Sequence, residues 1–95
     1  MTNFTTRVEL HAANESDYQT LHSAMEAEGF SRVITSDDNI TYHLPNAEYN
    51  RTATLTRSQV LESAKRAAGK TKKAYSILVT ESTARTWVGL EQVKI

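Results

Sequence analysis

The sequence contains no cysteine and has only one proline and three glycines among its 95 residues. Without cysteine, the chain forms no disulfide and offers no thiolate for catalysis or for zinc binding. The few glycines form no phosphate-binding motif of the type GxxxxGK or GxGxxG. We therefore expect neither a structural metal nor a small-molecule cofactor.

Long apolar runs are also missing, since nothing approaches the roughly 18 consecutive apolar residues of a membrane span. The polar start, Met1-Thr2-Asn3, has neither the basic nor the apolar region of a signal peptide. Hydrophobic residues make up 39% of the chain, which at this length supports one modest core. These features predict a single cytoplasmic domain over residues 1–95 that makes no contact with a membrane.

The net charge is zero, but the two halves of the chain differ strongly in charge. Residues 1–49 carry two basic side chains against eight acidic ones, a net charge of −6. Residues 50–95 carry nine basic side chains against three acidic ones, a net charge of +6. Either the halves neutralise each other inside one domain, or one half presents a basic surface to an anionic partner.

The segment 4–11 alternates strictly between apolar and polar residues, which is typical of a strand with one buried face. The predicted buried face comprises Phe4, Thr6, Val8 and Leu10. The predicted exposed face comprises Thr5, Arg7, Glu9 and His11. This strand predicts a sheet with one covered face and one open, polar face.

Two segments carry the signals of a helix start. Capping boxes at 16–19 and 56–59, with the serine and the threonine as N-caps, precede apolar residues that recur at intervals of three and four. The glycines at positions 29 and 69 mark the predicted helix ends.

The remaining regular segments are rich in β-branched and aromatic residues and are separated by turn residues. Residues 31–35 and 40–44 predict a hairpin, whereas 46–53 shows no clear period and predicts an exposed loop. The apolar run at 74–80 predicts a buried strand, and 85–90 predicts a strand that returns beside it as a hairpin.

The resulting order of strands and helices is a double βαβ unit with an extra C-terminal strand. Right-handed crossovers place the first strand in the middle of an antiparallel sheet of four strands with order 4-1-3-2. Both helices cover one face of this sheet, because the first and third strands have one apolar face each. The sequence thus predicts an α+β fold of the ferredoxin-like class, with acidic Glu26 and Glu28 beside basic Lys65 and Arg66 on the two neighbouring helices.

Three histidines are the candidate acid–base residues, because imidazole titrates near neutral pH. His11 and His43 share the polar parity of their strands, which places them on the open face of the sheet with Arg7. His22 lies beside the apolar stripe of the first helix, where packing is the alternative to catalysis. The spacing of the histidines matches no metal-ligand motif.

The open face lacks the aromatic residues with which RNA-recognition-motif sheets stack bases, so that mode of RNA binding is not expected. The candidate RNA-binding residues are Arg7, His43, Lys70, Lys72 and Lys73. The lysines follow the second helix, where cations also complement the helix dipole without any ligand, so both interpretations stay open.

Five short stretches carry a family resemblance: Val8-Glu-Leu, Met25-Glu-Ala-Glu-Gly-Phe-Ser-Arg-Val-Ile34, Tyr42-His-Leu-Pro45, Ser58-Gln-Val-Leu-Glu and Tyr75-Ser-Ile-Leu-Val79. Together they resemble the small family that contains the endoribonuclease antitoxin of type V toxin–antitoxin systems. Members of that family look like the small CRISPR adaptation nucleases in fold, which agrees with the double βαβ order. The resemblance implies a sequence-selective endoribonuclease that cleaves messenger RNA.

The chain departs from that family at the positions that matter for cleavage. The antitoxin depends on an arginine in its first helix, where this chain has His22, and its first strand ends with an acid where this chain reads Leu10-His11-Ala12. The hypothesis that follows is that His22 or His11 takes the proton of the 2′-hydroxyl, while Arg7 or a lysine of the 70–73 run stabilises the pentavalent phosphate.

The alternative is a function of another class, a non-catalytic ferredoxin-like binding module carried by a phage or a plasmid. Such a module would bind another protein, or a second copy of the chain, through a sheet edge or through the terminal hairpin that contains Trp87. In the simplest case Trp87 fills the core instead.

Overall fold

The computed structural model describes residues 1–94, which fold as an α+β protein and confirm the predicted class. The elements in chain order are β1 (Thr2–Leu10), α1 (Glu15–Ala27), β2 (Val33–Thr35), β3 (Thr41–His43), β4 (Glu48–Ala53), α2 (Arg57–Gly69) and β5 (Tyr75–Ser82). Ile95, the last residue of the predicted domain, lies outside the described residues. Neither α1 nor α2 has the length and apolar character that crossing a membrane requires.

β1 is the central strand of a three-stranded antiparallel sheet with the order β4-β1-β5. Its register pairs Thr6 with Tyr49 on one side and with Val79 on the other. The inward residues of β1 are buried, whereas Arg7 and Glu9 on the opposite face are exposed. The predicted division of this strand into a covered face and an open face is therefore confirmed.

Both helices pack on the covered face of the sheet, as predicted. Leu21 and Met25 of α1 and Val60 and Ala64 of α2 are completely buried in one core with Phe4 of β1. Complete burial of each large apolar side chain contributes about 1.5–3 kcal/mol to folding. The small side chain of Ala64 lets α2 lie close to its neighbours.

The strand beside β1 differs from the prediction. The expected exposed loop at 46–53 is wrong, because residues 48–53 form β4 and pair with β1. The segment 40–44, predicted as the third strand of the main sheet, contains β3, which pairs with β2 in a separate two-stranded sheet. Within residues 1–94, the order 4-1-3-2 is thus not present as one continuous sheet.

The inward residues of β4 explain why its sequence shows no clear alternation of apolar and polar residues. Tyr49 is completely buried despite its hydroxyl, and the guanidinium of Arg51 lies 5.4 Å from the centre of the Phe30 ring. That guanidinium also donates to the backbone carbonyl of Glu28. An arginine and a tyrosine at inward positions give a polar sequence, although both side chains pack against the core.

The predicted strand at 85–90 is also wrong, since the described structure has no strand in that range. Instead, Nη1 of Arg85 donates to Asn50 Oδ1 at 2.6 Å and to Thr5 Oγ1 at 3.3 Å, and both partners belong to the open face. These bonds hold the segment against the open face rather than beside β5. Residues 91–93 then form backbone hydrogen bonds with β3.

The helix starts agree with the prediction for α2 and differ for α1. Thr56 and Gln59 form the predicted capping box. In α1 the N-cap is Asn14 rather than Ser16, because Asn14 and Asp17 bond each other's backbone N–H at 3.0 Å. A carboxylate in the first turn also interacts favourably with the helix dipole, which favours this box over the one at 16–19.

The two glycines near helix ends differ in backbone conformation, so alanine substitutions at these positions should change stability in opposite directions. Gly29 has φ of 92°, and a Cβ there would lie 3.1 Å from Cζ of Arg51. We expect Gly29→Ala to lower the free energy of unfolding by about 1–2 kcal/mol. Gly69 has no such φ, and a Cβ there meets nothing within 4 Å. Gly69→Ala should raise the free energy of unfolding by up to about 1 kcal/mol.

Urea denaturation, monitored by circular dichroism, measures the free energy of unfolding of both variants. Equal changes in the two free energies of unfolding would show that the left-handed conformation at Gly29 contributes nothing.

Candidate functional site

His22, one of the two candidate catalytic histidines, lies in the core and is only 5% exposed. Its Nε2 lies 3.1 Å from Asn46 Oδ1, and its Nδ1 lies 2.6 Å from the hydroxyl of Tyr49. An amide oxygen only accepts, so Nε2 carries the hydrogen and Nδ1 accepts from the tyrosine hydroxyl. Both ring nitrogens are occupied, which leaves neither free to take a proton from a substrate in this arrangement.

The surroundings of this cluster keep it uncharged. Burial lowers the pKa of His22, and the positive charge of Arg32 lowers it further. Burial likewise raises the pKa of the Tyr49 hydroxyl. The neutral histidine therefore connects α1 to β4 and to the loop at Asn46 through hydrogen bonds. This is the packing role that the sequence offers as the alternative to catalysis.

The lowered pKa of His22 makes stability depend on pH. The histidine of the unfolded chain titrates near 6.5 and therefore binds more protons than folded His22 as the pH falls below that value. The contribution is fully present above that pH and is lost toward the lower pKa of the folded state. We expect His22→Gln to flatten the decline in the free energy of unfolding between about pH 7 and pH 5.

The matched control is His11→Gln, because His11 is exposed. This variant should keep the slope of the unmodified protein in urea denaturation at a series of pH values. A slope that is unchanged in His22→Gln would mean that His22 does not carry the acid sensitivity.

His11, the other candidate catalytic residue, is exposed where β1 ends. Its Nε2 lies 2.8 Å from the hydroxyl of Ser76 on β5, and its backbone N–H donates to the carbonyl of Ala74. Among residues 1–94, Nδ1 has no hydrogen-bond partner. The hydroxyl orients the ring, while the other nitrogen remains available to a ligand.

The open face brings Arg7 onto the same side of the sheet as His11. The guanidinium of Arg7 lies 3.6 Å from the carboxylate of Glu9, and about half of each side chain is exposed. Leu78 stands directly opposite Arg7 on β5 and is 63% exposed. His43 is exposed too, but it belongs to β3 and hence to the separate two-stranded sheet.

Two of the candidate lysines lie beside α1, which packs on the covered face of the sheet, whereas Arg7 is on the open face. Lys70 lines a shallow groove with residues of α1, and Lys72 is exposed. Lys73 lies 3.8 Å from the carboxylate of Asp17 in the first turn of α1. The structure therefore does not place Lys70 or Lys73 in one site with the open-face residues.

Part of the charge difference between the two halves is neutralised between the helices. Arg66 of α2 lies 3.0 Å from the carboxylate of Glu28 after α1. The hydrogen bond from Arg66 lowers the pKa of Glu28. This contact supports the interpretation in which the halves neutralise each other, although it does not involve the cations of the open face.

A groove of about 480 Å³ lies between the turn that joins β2 to β3 and the segment 82–87. Its walls include Arg85, Trp87 and Tyr42. The rings of Tyr42 and Trp87 meet edge to face, with their centres 5.5 Å apart. Burial lowers the pKa of Arg85 from its high ordinary value. A cation and two aromatic rings thus meet beside the open face of the sheet.

No local sequence pattern indicates this groove. Arg85 bonds to partners that lie 80 and 35 positions away in the chain, and neither partner is charged. For Trp87 the sequence predicts either a dimer contact or a position in the core. In the structure this residue is half-buried against Tyr42.

The described part of the chain contains no group of three or more histidine, aspartate or glutamate side chains placed to hold a metal ion. The chain matches no protein-family model and no curated protein.

Proposed function

We propose that this protein binds RNA on the open face of its sheet and acts as an endoribonuclease antitoxin, as its resemblance to the type V family implies. The observation that supports RNA binding best is the environment of the Arg85 guanidinium. Its guanidinium is partly buried against the open face and bonds to the neutral oxygens of Thr5 and Asn50. No carboxylate within residues 1–94 forms an ion pair with it. A partly desolvated cation without an acid is destabilising until an anion such as a phosphate pairs with it.

The backbone supports the ferredoxin-like part of the proposal. Ser31 and Asn50 exchange two backbone hydrogen bonds of 2.7 Å, which place the residues before β2 beside β4. We infer the strand order β5-β1-β4-β2 for the fold. This is the ferredoxin-like order 4-1-3-2 with β4, rather than the segment 40–44, as its third strand.

His11 is the better placed of the two candidate bases. In the proposed step it takes the proton of the 2′-hydroxyl, and the 2′-oxygen forms a bond to phosphorus. The bond from phosphorus to the 5′-oxygen breaks, and that oxygen takes a proton from water, which leaves a 2′,3′-cyclic phosphate and a 5′-hydroxyl. Arg7, on the same face, would stabilise the charge on the phosphate oxygens. In this proposal His22 positions β4 and does not touch the RNA.

A cleavage assay with a panel of structured and unstructured RNAs, carried out with a chelator present, tests this function. We expect cleavage that survives the chelator and yields cyclic phosphate ends. His11→Ala should reduce the rate by about 10²–10⁴-fold, the usual contribution of a general base, with RNA affinity nearly unchanged. His43→Ala is the matched control, because this exposed histidine lies on the other sheet.

Two results would contradict the catalytic part. One is an intact RNA panel at high protein concentration, and the other is full activity of His11→Ala. Salt-sensitive RNA binding without cleavage would leave an RNA-binding protein that is not an enzyme.

A second candidate function, self-association through a sheet edge, is favoured by β5. Within residues 1–94 this strand pairs only with β1, and it contains no proline or lysine and carries the exposed Leu78 near its middle. An edge strand with those properties is a template for pairing with another strand. An antiparallel pair with a two-fold axis at Leu78 would place this residue beside its copy on the open face, which would join two sheets into one.

Light scattering over a concentration series tests the edge. We expect a dimer that Leu78→Lys converts to a monomer, because two lysines opposite each other repel. The matched control is Val88→Lys, at a residue that is 94% exposed and lies outside β5. A monomer at all concentrations would exclude this function.

A further inference from the structure

We propose that the groove between the β2–β3 turn and the segment 82–87 is a nucleotide subsite that prefers guanine. In this subsite Arg85 binds the phosphate, Trp87 stacks on the base, and Asp37 bonds the edge of the base. The inference rests on the proposed RNA-binding function and deepens it by naming the base that the groove selects.

The phosphate part follows from the hydrogen bonds of Arg85. A guanidinium has five N–H donors in a rigid fork. The contacts with Thr5 and Asn50 both use Nη1, which leaves the donors of Nη2 and Nε without a partner among residues 1–94. Nη1 is thus fixed by the sheet, while the rest of the fork can form the bidentate pair that guanidinium makes with phosphate.

The stacking part follows from the aromatic pair. Trp87 lines the groove and remains partly exposed. Tyr42 contacts it edge to face, with an angle of 68° between the ring planes. The tyrosine thereby supports the indole in one orientation without covering it in parallel. Stacking of a base on such a ring contributes about 1–3 kcal/mol in proteins that bind single strands.

The base preference follows from the turn at one end of the groove. Asp37 and Asp38 both line it. The carboxylate of Asp38 accepts from the hydroxyl of Ser36, whose own backbone N–H donates to the carbonyl of Ile40. These bonds fix the turn and engage one carboxylate oxygen of Asp38, whereas Asp37, which is also exposed, forms no side-chain hydrogen bond or ion pair within residues 1–94 and is the carboxylate that we assign to the base.

Guanine suits a carboxylate acceptor better than the other bases do. Its N1–H and its N2 amino group are neighbouring donors that can bond both carboxylate oxygens at once. Uracil offers one N–H between two carbonyl oxygens, and those oxygens repel the carboxylate. The volume of the groove, about 480 Å³, also lies within the usual range for small-molecule sites.

The test uses Trp87 itself, because it is the single tryptophan in the chain. The full-length protein is titrated with GMP, UMP and inorganic phosphate while the indole fluorescence is recorded. We expect GMP to quench the emission with a Kd at least about tenfold below that of UMP. Phosphate alone should compete with GMP and leave the emission nearly unchanged.

Two variants separate the roles of the charged residues. Asp37→Asn should abolish the preference for GMP over UMP, and Arg85→Ala should weaken both nucleotides by about tenfold or more. Glu62→Gln and Arg57→Ala, at exposed residues of α2 outside the groove, are the matched controls. Circular dichroism establishes that each variant is folded.

Equal affinities for GMP and UMP, or fluorescence that GMP does not change, would overturn the subsite. A full preference for GMP in Asp37→Asn would overturn the role of the aspartate. If GMP binds but RNA oligonucleotides do not, the subsite stands and the proposed function fails. If oligonucleotides bind without a base preference, the proposed function stands and the guanine subsite fails.

Discussion

β1 pairs along both of its edges, and this double pairing determines which side chains are buried and which are presented on the open face. With β4 on one side and β5 on the other, this strand cannot shift its register by one residue without moving Phe4 and Val8 out of the core. The same register fixes the opposite face, where Arg7 and His11 share the side of the sheet against which Arg85 is bonded. Core packing therefore determines the placement of the candidate RNA-binding side chains, even though those side chains contribute little to the core.

The contact between β4 and α1 uses buried polar groups, whereas β4 is joined to β1 by the antiparallel backbone pairing. Tyr49 is completely buried, and in the described part of the chain its hydroxyl bonds only to His22, whose other nitrogen bonds to Asn46. Removal of one member leaves a buried polar group without its partner, which usually costs about 1–3 kcal/mol. A histidine in such a cluster is constrained by packing, and so its position in α1 need not reflect catalysis.

Strong local patterns could be predicted from the sequence, and weak or long-range ones could not. The alternation at 4–11, the capping box at 56–59 and the apolar run at 74–80 all correspond to observed elements. β4 could not be predicted, because Tyr49 and Arg51 occupy its inward positions, where the expected residues are apolar. The exposed position of His11 could be predicted from the alternation of apolar and polar residues at 4–11 alone. The groove could not be predicted, because Arg85 reaches it through partners far away in the chain, and no local period encodes such contacts.

The distribution of cations determines what kind of RNA binding is physically reasonable. Most basic residues of the second half lie on or after α2, where Arg66 pairs with Glu28 and Lys73 lies near Asp17. The open face retains Arg7 and Arg85, and the first of these is close to Glu9. Phosphate contacts to single strands contribute through counterion release in proportion to their number. With so few contacts, that contribution is small, so most of the affinity would have to come from stacking and from hydrogen bonds to base edges. Selective recognition of a short single-stranded site therefore fits this surface better than general coating of nucleic acid does.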